Sequence, residues 1–172
     1  GISSNDIIIG ISCSGGASFV LEFLKLSKKI GAKTALVTFN DVDDIKYVDK
    51  ILKVFVGPEI ISGSTRMKSG TATKMILNMI TTITMIKLNK TYGNYMVDLR
   101  VVNNKLLLRA VNIIKALTGI SSDEAEDILN KSKGKVKNAI IMKKLNVDYM
   151  KSIELIKNYN GSLRLILNEH RK

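Results

Sequence analysis

Apolar residues in this chain change rhythm several times, and each change predicts an element. Asp6-Ile7-Ile8-Ile9-Gly10-Ile11-Ser12 is a β-branched run without polar alternation, the pattern of a strand covered on both faces in a parallel sheet. After a turn at Ser14-Gly15-Gly16, the positions Val20, Leu21, Phe23, Leu24, Leu26 and Ile30 alternate with Lys25, Lys28 and Lys29. That spacing predicts an amphipathic helix over 18–30, closed by Gly31. Residues 34–39 form a second strand pattern, so a right-handed βαβ unit is expected. The acidic tract Asn40-Asp41-Val42-Asp43-Asp44 then leads toward a short helix at 45–48 and a third strand at 51–56. Asp41, Asp43 and Asp44 lack the glycine and distal glutamate of a calcium loop, and they read as helix caps.

Beyond a loop at 57–70, Met75, Met79, Ile83 and Ile86 recur at intervals of four, four and three, with Ile76, Leu77, Ile80, Met85 and Leu88 on neighbouring faces. Little of the circumference is polar, which predicts a buried helix with Ser64 or Thr65 as its N-cap. Residues 91–99 read as irregular, and 103–117 as a helix capped by Asn103 or Asn104. From Ser121 the pattern breaks into short helices, the first opened by a Ser121–Glu124 capping box. A weak repeat aligns residues 126–137 with 153–164, Gly134 over Gly161. Each half is a helix, a glycine and a helix, too small to bury its apolar face alone, so the two halves are expected to pack as one module. The domains expected are 1–118 and 119–172.

With 172 residues, 45% hydrophobic, and one proline, the chain is long enough for one substantial core or for a domain with an appendage. The apolar run at 75–88 is too short and threonine-rich to span a bilayer, and no signal-peptide pattern opens the chain, so a cytoplasmic protein is expected. Cys13 is the only cysteine and His170 the only histidine, at opposite ends of the sequence. This argues against a disulfide, a protein-built zinc site and a Cys13 nucleophile; Cys13 reads as a small buried hydrophobe. Neither a metal nor a cofactor is expected. The net charge of +12 favours anionic partners. The tight group Lys131, Lys133, Lys135 and Lys137 has no interleaved aromatic residue, so it reads as a solvated face and not as a nucleic-acid platform.

The candidate chemistry lies in two loops. Gly57-Pro58-Glu59-Ile60-Ile61-Ser62-Gly63-Ser64-Thr65-Arg66-Met67-Lys68-Ser69-Gly70 offers backbone N–H groups, hydroxyls and two cations at the start of a helix, the chemistry a phosphate needs. Ser12-Cys13-Ser14-Gly15-Gly16 leaves the first strand in the same way. Ligands of parallel sheets sit beyond the carboxyl ends of the strands, so both loops are placed to share one ligand. Candidate contacts are Ser12, Ser14, Gly15 and Gly16 with Ser64, Thr65, Arg66 and Lys68. Glu59, the carboxylate beside the second loop, is a candidate acid or base, or else a capping or ion-pair residue.

The block from Gly57 to Ala72, with Tyr92-Gly93-Asn94 and Met96-Val97-Asp98 downstream, closely resembles the N-acetylmuramic acid 6-phosphate etherases. The related glucokinase regulatory proteins carry a similar block, and both belong to the sugar isomerase (SIS) superfamily. The resemblance implies an α/β fold: a flavodoxin-like parallel SIS sheet, with three of five strands in this chain, then a small all-helical, ubiquitin-associated-like C-terminal module. It further implies a homodimer and a lyase that cleaves the D-lactyl ether of N-acetylmuramic acid 6-phosphate to N-acetylglucosamine 6-phosphate and D-lactate in peptidoglycan recycling. The family's catalytic glutamates and other phosphate loop lie upstream of the segment matching 6–12. The second family loop usually reads Ala-Ala-Ser-Gly-Arg-Thr-Pro, against Ser12-Cys13-Ser14-Gly15-Gly16-Ala17-Ser18 here. A C-terminal part of such an enzyme is therefore expected, holding part of the phosphosugar site, inactive alone, with a sheet face or edge uncovered and prone to associate. The alternative is a non-catalytic sugar-phosphate-binding regulator of the glucokinase regulatory type, whose loop begins with the same Gly-Ile-Ser as Gly10-Ile11-Ser12.

Overall fold

A computed structural model of the chain describes residues 1–170. It divides into two compact units, Gly1–Met79 and a second beginning at Ile80. The first holds a three-stranded parallel sheet of β1 (Ile7–Ile11), β2 (Lys33–Thr38) and β3 (Lys50–Lys53), in the order β1-β2-β3. Helix α1 (Ser18–Ile30) ends on Gly31, whose φ of 97° is the left-handed conformation a helix stop requires. The expected βαβ unit is thus present. Its tight spot is Gly10: a Cβ there would lie 2.6 Å from Val20 Cγ1 and 2.9 Å from Leu24 Cδ1, so α1 approaches β1 as closely as it does because no side chain intervenes.

The register sets Ile9 beside Ala35 and Gly10 beside Leu36, so Ile7 and Ile9 share the face turned away from α1. That face is poorly covered, with Ile7 65% exposed. Residues 45–48 form a turn, with the Val48 N–H donating to Ile45 O, and not the expected helix. Asp41 accordingly caps nothing; its carboxylate accepts from Lys53 Nζ at 2.7 Å. The third strand is shorter than the 51–56 expected.

Helix α2 (Lys68–Lys87) runs for 20 residues across the division between the units. Its expected burial is not found. Ser69 is the one buried residue along it, while Met79 and Ile83 are 52% and 51% exposed. Periodicity reports that a helix needs cover all round; it does not say that the same stretch of chain provides it.

The second unit opens with a hairpin of β4 (Thr91–Tyr92) and β5 (Tyr95–Met96) where irregular chain was expected. The Gly93-Asn94 turn makes it, with Gly93 at φ 57°. Helix α3 (Asn104–Thr118) is capped by Asn103, whose side chain accepts from Leu106 N. There follow α4 (Ser122–Lys131), α5 (Val136–Leu145), α6 (Tyr149–Asn158) and α7 (Leu163–Glu169). The capping box closes as read: Glu124 N donates to Ser121 Oγ at 3.2 Å and Ser121 N to Glu124 at 3.0 Å.

The repeat is structural. Lys133-Gly134 and Asn160-Gly161 both carry positive φ, and each glycine N–H returns to a carbonyl of the preceding helix, Leu129 and Ile156. One apolar core unites the helices: Ala110 and Ile114 of α3, Leu129 of α4, Ile140 and Ile141 of α5, Leu155 of α6 and Ile166 of α7 are all buried in it. At its edge Lys137, its side chain only 9% exposed, donates to Asn89 O at 2.9 Å and Gly161 O at 3.0 Å. One ammonium thereby holds the end of α2 and the turn after α6.

Candidate functional site

The loop after β1 is shaped by contacts from β2. Thr38 Oγ1, Phe39 N and Asn40 Nδ2 all donate to Cys13 O, at 3.3, 3.1 and 2.9 Å. Gly15 is required here. Its φ is 79°, and a Cβ would stand 2.4 Å from Val42 Cγ1. Gly16, in contrast, faces open space. Buried Ser12 accepts from Ala17 N through Oγ, and exposed Ser14 accepts from Gly16 N. As acceptors in these bonds, both hydroxyls keep their own O–H to donate. Cys13 is half-buried, more open than expected.

The loop then delivers the chain to α1, whose cap residue Ala17 has no side-chain acceptor for the first-turn N–H groups. Unpaired donors at the positive end of a helix, beside two serine hydroxyls and an open glycine, form a surface compatible with an anion.

The loop before α2 is organised differently. The expected Ser64 or Thr65 cap does not form, because the helix begins only at Lys68. The capping group is Glu59, whose carboxylate accepts from Ser69 N at 3.0 Å and Lys68 N at 3.1 Å. These two N–H bonds, Ser69 first, hold its pKa below the ordinary glutamate value. Lys68 Nζ donates to Pro58 O at 2.8 Å, which ties one of its three N–H donors to the loop and leaves its positive charge in place. What remains free among the described residues is the Ser64 and Thr65 hydroxyls and the Arg66 guanidinium, none of which has a side-chain hydrogen bond or ion pair. Ser64 is half-buried; Thr65 and Arg66 are exposed.

The structure therefore brings Ser12, Ser14, Gly15 and Gly16 together in one turn, and Glu59 together with Lys68. Among the described residues no hydrogen bond or ion pair joins the first loop to the second. Sequence reasoning missed Thr38 and Asn40, which fix the first loop. It also misread the lysine group. Lys131 pairs with Asp127 and Lys137 is buried, while the ammoniums of Lys133 and Lys135 lie 5.2 and 5.7 Å from the ring centroid of Tyr149, an aromatic partner supplied by another helix. No helix among the described residues is long and apolar enough to cross a membrane.

Known proteins resemble this chain in sequence at two levels. The family model described as the C-terminal lid domain of glucokinase regulatory protein matches residues 93–161. Over nearly the whole chain the likeness is to proteins named N-acetylmuramic acid 6-phosphate etherase. That of Bacillus licheniformis is 45% identical over 172 residues, 99% of this chain and 57% of its own length. The chain is a relative of these etherases. The Clostridium beijerinckii etherase is 49% identical over 160 residues, covering 91% of this chain and 52% of its own length. The Rhodopirellula baltica etherase is 42% identical over 167 residues, covering 96% and 55%. The chain thus spans little more than half the length of its etherase relatives, and the two loops described above lie inside the shared part.

Proposed function

We propose that this chain is the C-terminal part of an etherase-type carbon–oxygen lyase acting on N-acetylmuramic acid 6-phosphate, and that it supplies part of the phosphosugar site. The observation that carries this reading is the etherase likeness, 45% identity over 99% of the chain, including both loops. In this proposal Ser12, Ser14, Gly15 and Gly16, with the open first turn of α1, receive the phosphate. Ser64, Thr65 and Arg66 contribute the free hydroxyls and charge of the second loop. Lys68 adds its charge while one of its N–H groups holds Pro58 O, and Glu59 acts one step back by capping α2. A glutamate held by two N–H groups below its ordinary pKa is a poor proton acceptor at neutral pH, which argues against Glu59 as the base; in this proposal the acid and base are the glutamates that the resemblance places upstream of the segment matching 6–12.

A partial SIS domain over 1–118, a ubiquitin-associated-like tail over 119–172, a homodimer and a cytoplasmic role in amino-sugar recycling belong to the same proposal. The test is release of D-lactate from N-acetylmuramic acid 6-phosphate. The chain alone should give none. Combined with the remaining part of an etherase relative it should give turnover, reduced about tenfold or more by Arg66→Ala. Release of D-lactate by the chain alone would overturn the reading.

A second reading rests on a separate observation, the lid-domain match at residues 93–161. On this reading the protein is a sugar-phosphate-binding regulator without catalysis. It predicts that the completed protein binds N-acetylglucosamine 6-phosphate yet releases no D-lactate.

A further inference from the structure

We propose that the second unit carries its own site for a phosphoryl group, formed by Arg100, Lys133 and Lys135 around a cavity of about 610 Å³ between residues 97–102 and the start of α5. All of its lining residues belong to the second unit.

Charge balance is the first argument. Among the described residues none of these three cations has an ion pair or a side-chain hydrogen bond. Lys133 and Lys135 place both ammoniums over the same Tyr149 ring, which concentrates like charge, and the backbone of Arg100 is bridged to that of Lys135. The carboxylate lining this cavity, Asp98, is already engaged: Lys90 Nζ donates to it at 2.5 Å and Lys137 Nζ stands 4.0 Å away. Arg100 also acts on Asp98 electrostatically, so this lining carboxylate is shared by Lys90, Lys137 and Arg100; against it the cavity sets Arg100, Lys133, Lys135 and Lys137, which leaves a surplus of positive charge. The first turn of α5 adds to this in the same direction, since its cap residue Lys135 presents no side-chain acceptor.

Shape and chemistry narrow the class of ligand. A compact dianion with several acceptor oxygens can meet a guanidinium and two ammoniums at once. A single nucleic-acid strand that stacks its bases would use an exposed aromatic face, and the Tyr149 ring already lies under the two lysines, which leaves the phosphoryl group as the moiety recognised. The ligand is accordingly a phosphomonoester or inorganic phosphate.

The experiment is competitive acetylation of lysines in the full chain, read by mass spectrometry, in phosphate against chloride at matched ionic strength. Lys133 and Lys135 should be protected by millimolar phosphate, while Lys74 and Lys105 react as before. Titration calorimetry should show phosphate affinity falling about tenfold in Arg100→Gln/Lys133→Gln/Lys135→Gln. All three side chains are exposed, so the variant should fold, as circular dichroism would verify. Equal protection by inorganic phosphate and N-acetylglucosamine 6-phosphate supports a phosphoryl site, and stronger protection by the sugar phosphate supports one that also reads the sugar. Equal labelling in phosphate and chloride, unchanged affinity in the triple variant, or protection by oligonucleotide alone would overturn it.

Discussion

Replacing Lys137 by Met tests whether one ammonium holds the second unit together. Methionine keeps the apolar stem of the side chain and removes its charge, so core packing changes little while the polar contacts go. Two carbonyls, Asn89 O and Gly161 O, lose their donor at 2.9 and 3.0 Å in a place where the side chain is only 9% exposed. An unsatisfied buried acceptor costs about 1–3 kcal/mol, so the two together cost about 2–6 kcal/mol, and removing the burial penalty of the ammonium returns part of that, which leaves an expected net loss of about 2–4 kcal/mol. At about 4–8 °C per kcal/mol for a unit of this size, the helical circular-dichroism transition should fall by about 8–32 °C. The pH dependence has a definite sign. Burial, the leading cause, pushes the Lys137 pKa below its ordinary value of 10.5. The unfolded chain therefore binds this proton more tightly than the folded one. The cost of the buried charge is in full force below the folded pKa and is relieved as pH climbs from there toward 10.5, so wild-type stability should rise over that window and the Met variant should lack the rise. A variant with an unchanged midpoint and the same alkaline profile would show that the ammonium is a bystander.

Two other outcomes can be checked directly. Glu59→Gln should speed amide exchange at Lys68 and Ser69, the N–H groups that the carboxylate holds. Because the folded pKa of Glu59 lies below 4.5, the wild-type cap is intact above that value and is lost as pH falls through the folded pKa; equal exchange in the two proteins at neutral pH would refute the cap. The exposed apolar circumference of α2 should make the chain associate, so light scattering after size exclusion should report a dimer or larger. Met79→Glu/Ile83→Glu should return it to monomer, and a wild type that is already a stable monomer would refute this.

What the sequence revealed depended on how far apart the interacting residues lie. The βαβ unit was legible because the apolar run of β1, the periodic face of α1 and the stop at Gly31 are each local signals. The Ser121–Glu124 box was legible because its partners are three residues apart, and the tail repeat because Gly134 and Gly161 mark the same left-handed turn. Glu59 was ambiguous for the opposite reason: its carboxylate caps an N–H nine residues away, beyond any capping motif. The Tyr149 ring beneath Lys133 and Lys135 was invisible because it belongs to another helix. The hairpin at 91–96 was missed because its strands of two residues are too short to show alternation, although Gly93-Asn94 is a hairpin turn. The error over α2 differs in kind. Its hydrophobic pattern was read correctly as a need for cover, but these residues leave it exposed.

The difference between the two loops bears on how a phosphate would be recognised. Both precede helices, yet only α1 has an uncapped first turn, whereas the positive end of α2 already holds the Glu59 carboxylate. A helix terminus is equivalent to roughly half a positive charge, so a full negative charge seated there more than cancels it. A second anion approaching the α2 terminus would meet repulsion before it met a donor. On the proposed reading, α2 therefore contributes its loop and not its dipole: the attraction comes from Arg66, whose guanidinium is unpaired, and from the charge of Lys68, with Ser64 and Thr65 adding neutral donors. Glu59 then has a use that needs no proton transfer. By satisfying the Lys68 and Ser69 N–H groups it fixes where the helix begins, and so where the three free donors of the preceding turn are held. That division predicts that Arg66→Ala weakens phosphate binding in any salt condition where the loop is folded, while Glu59→Gln weakens it only to the extent that the first turn of α2 frays.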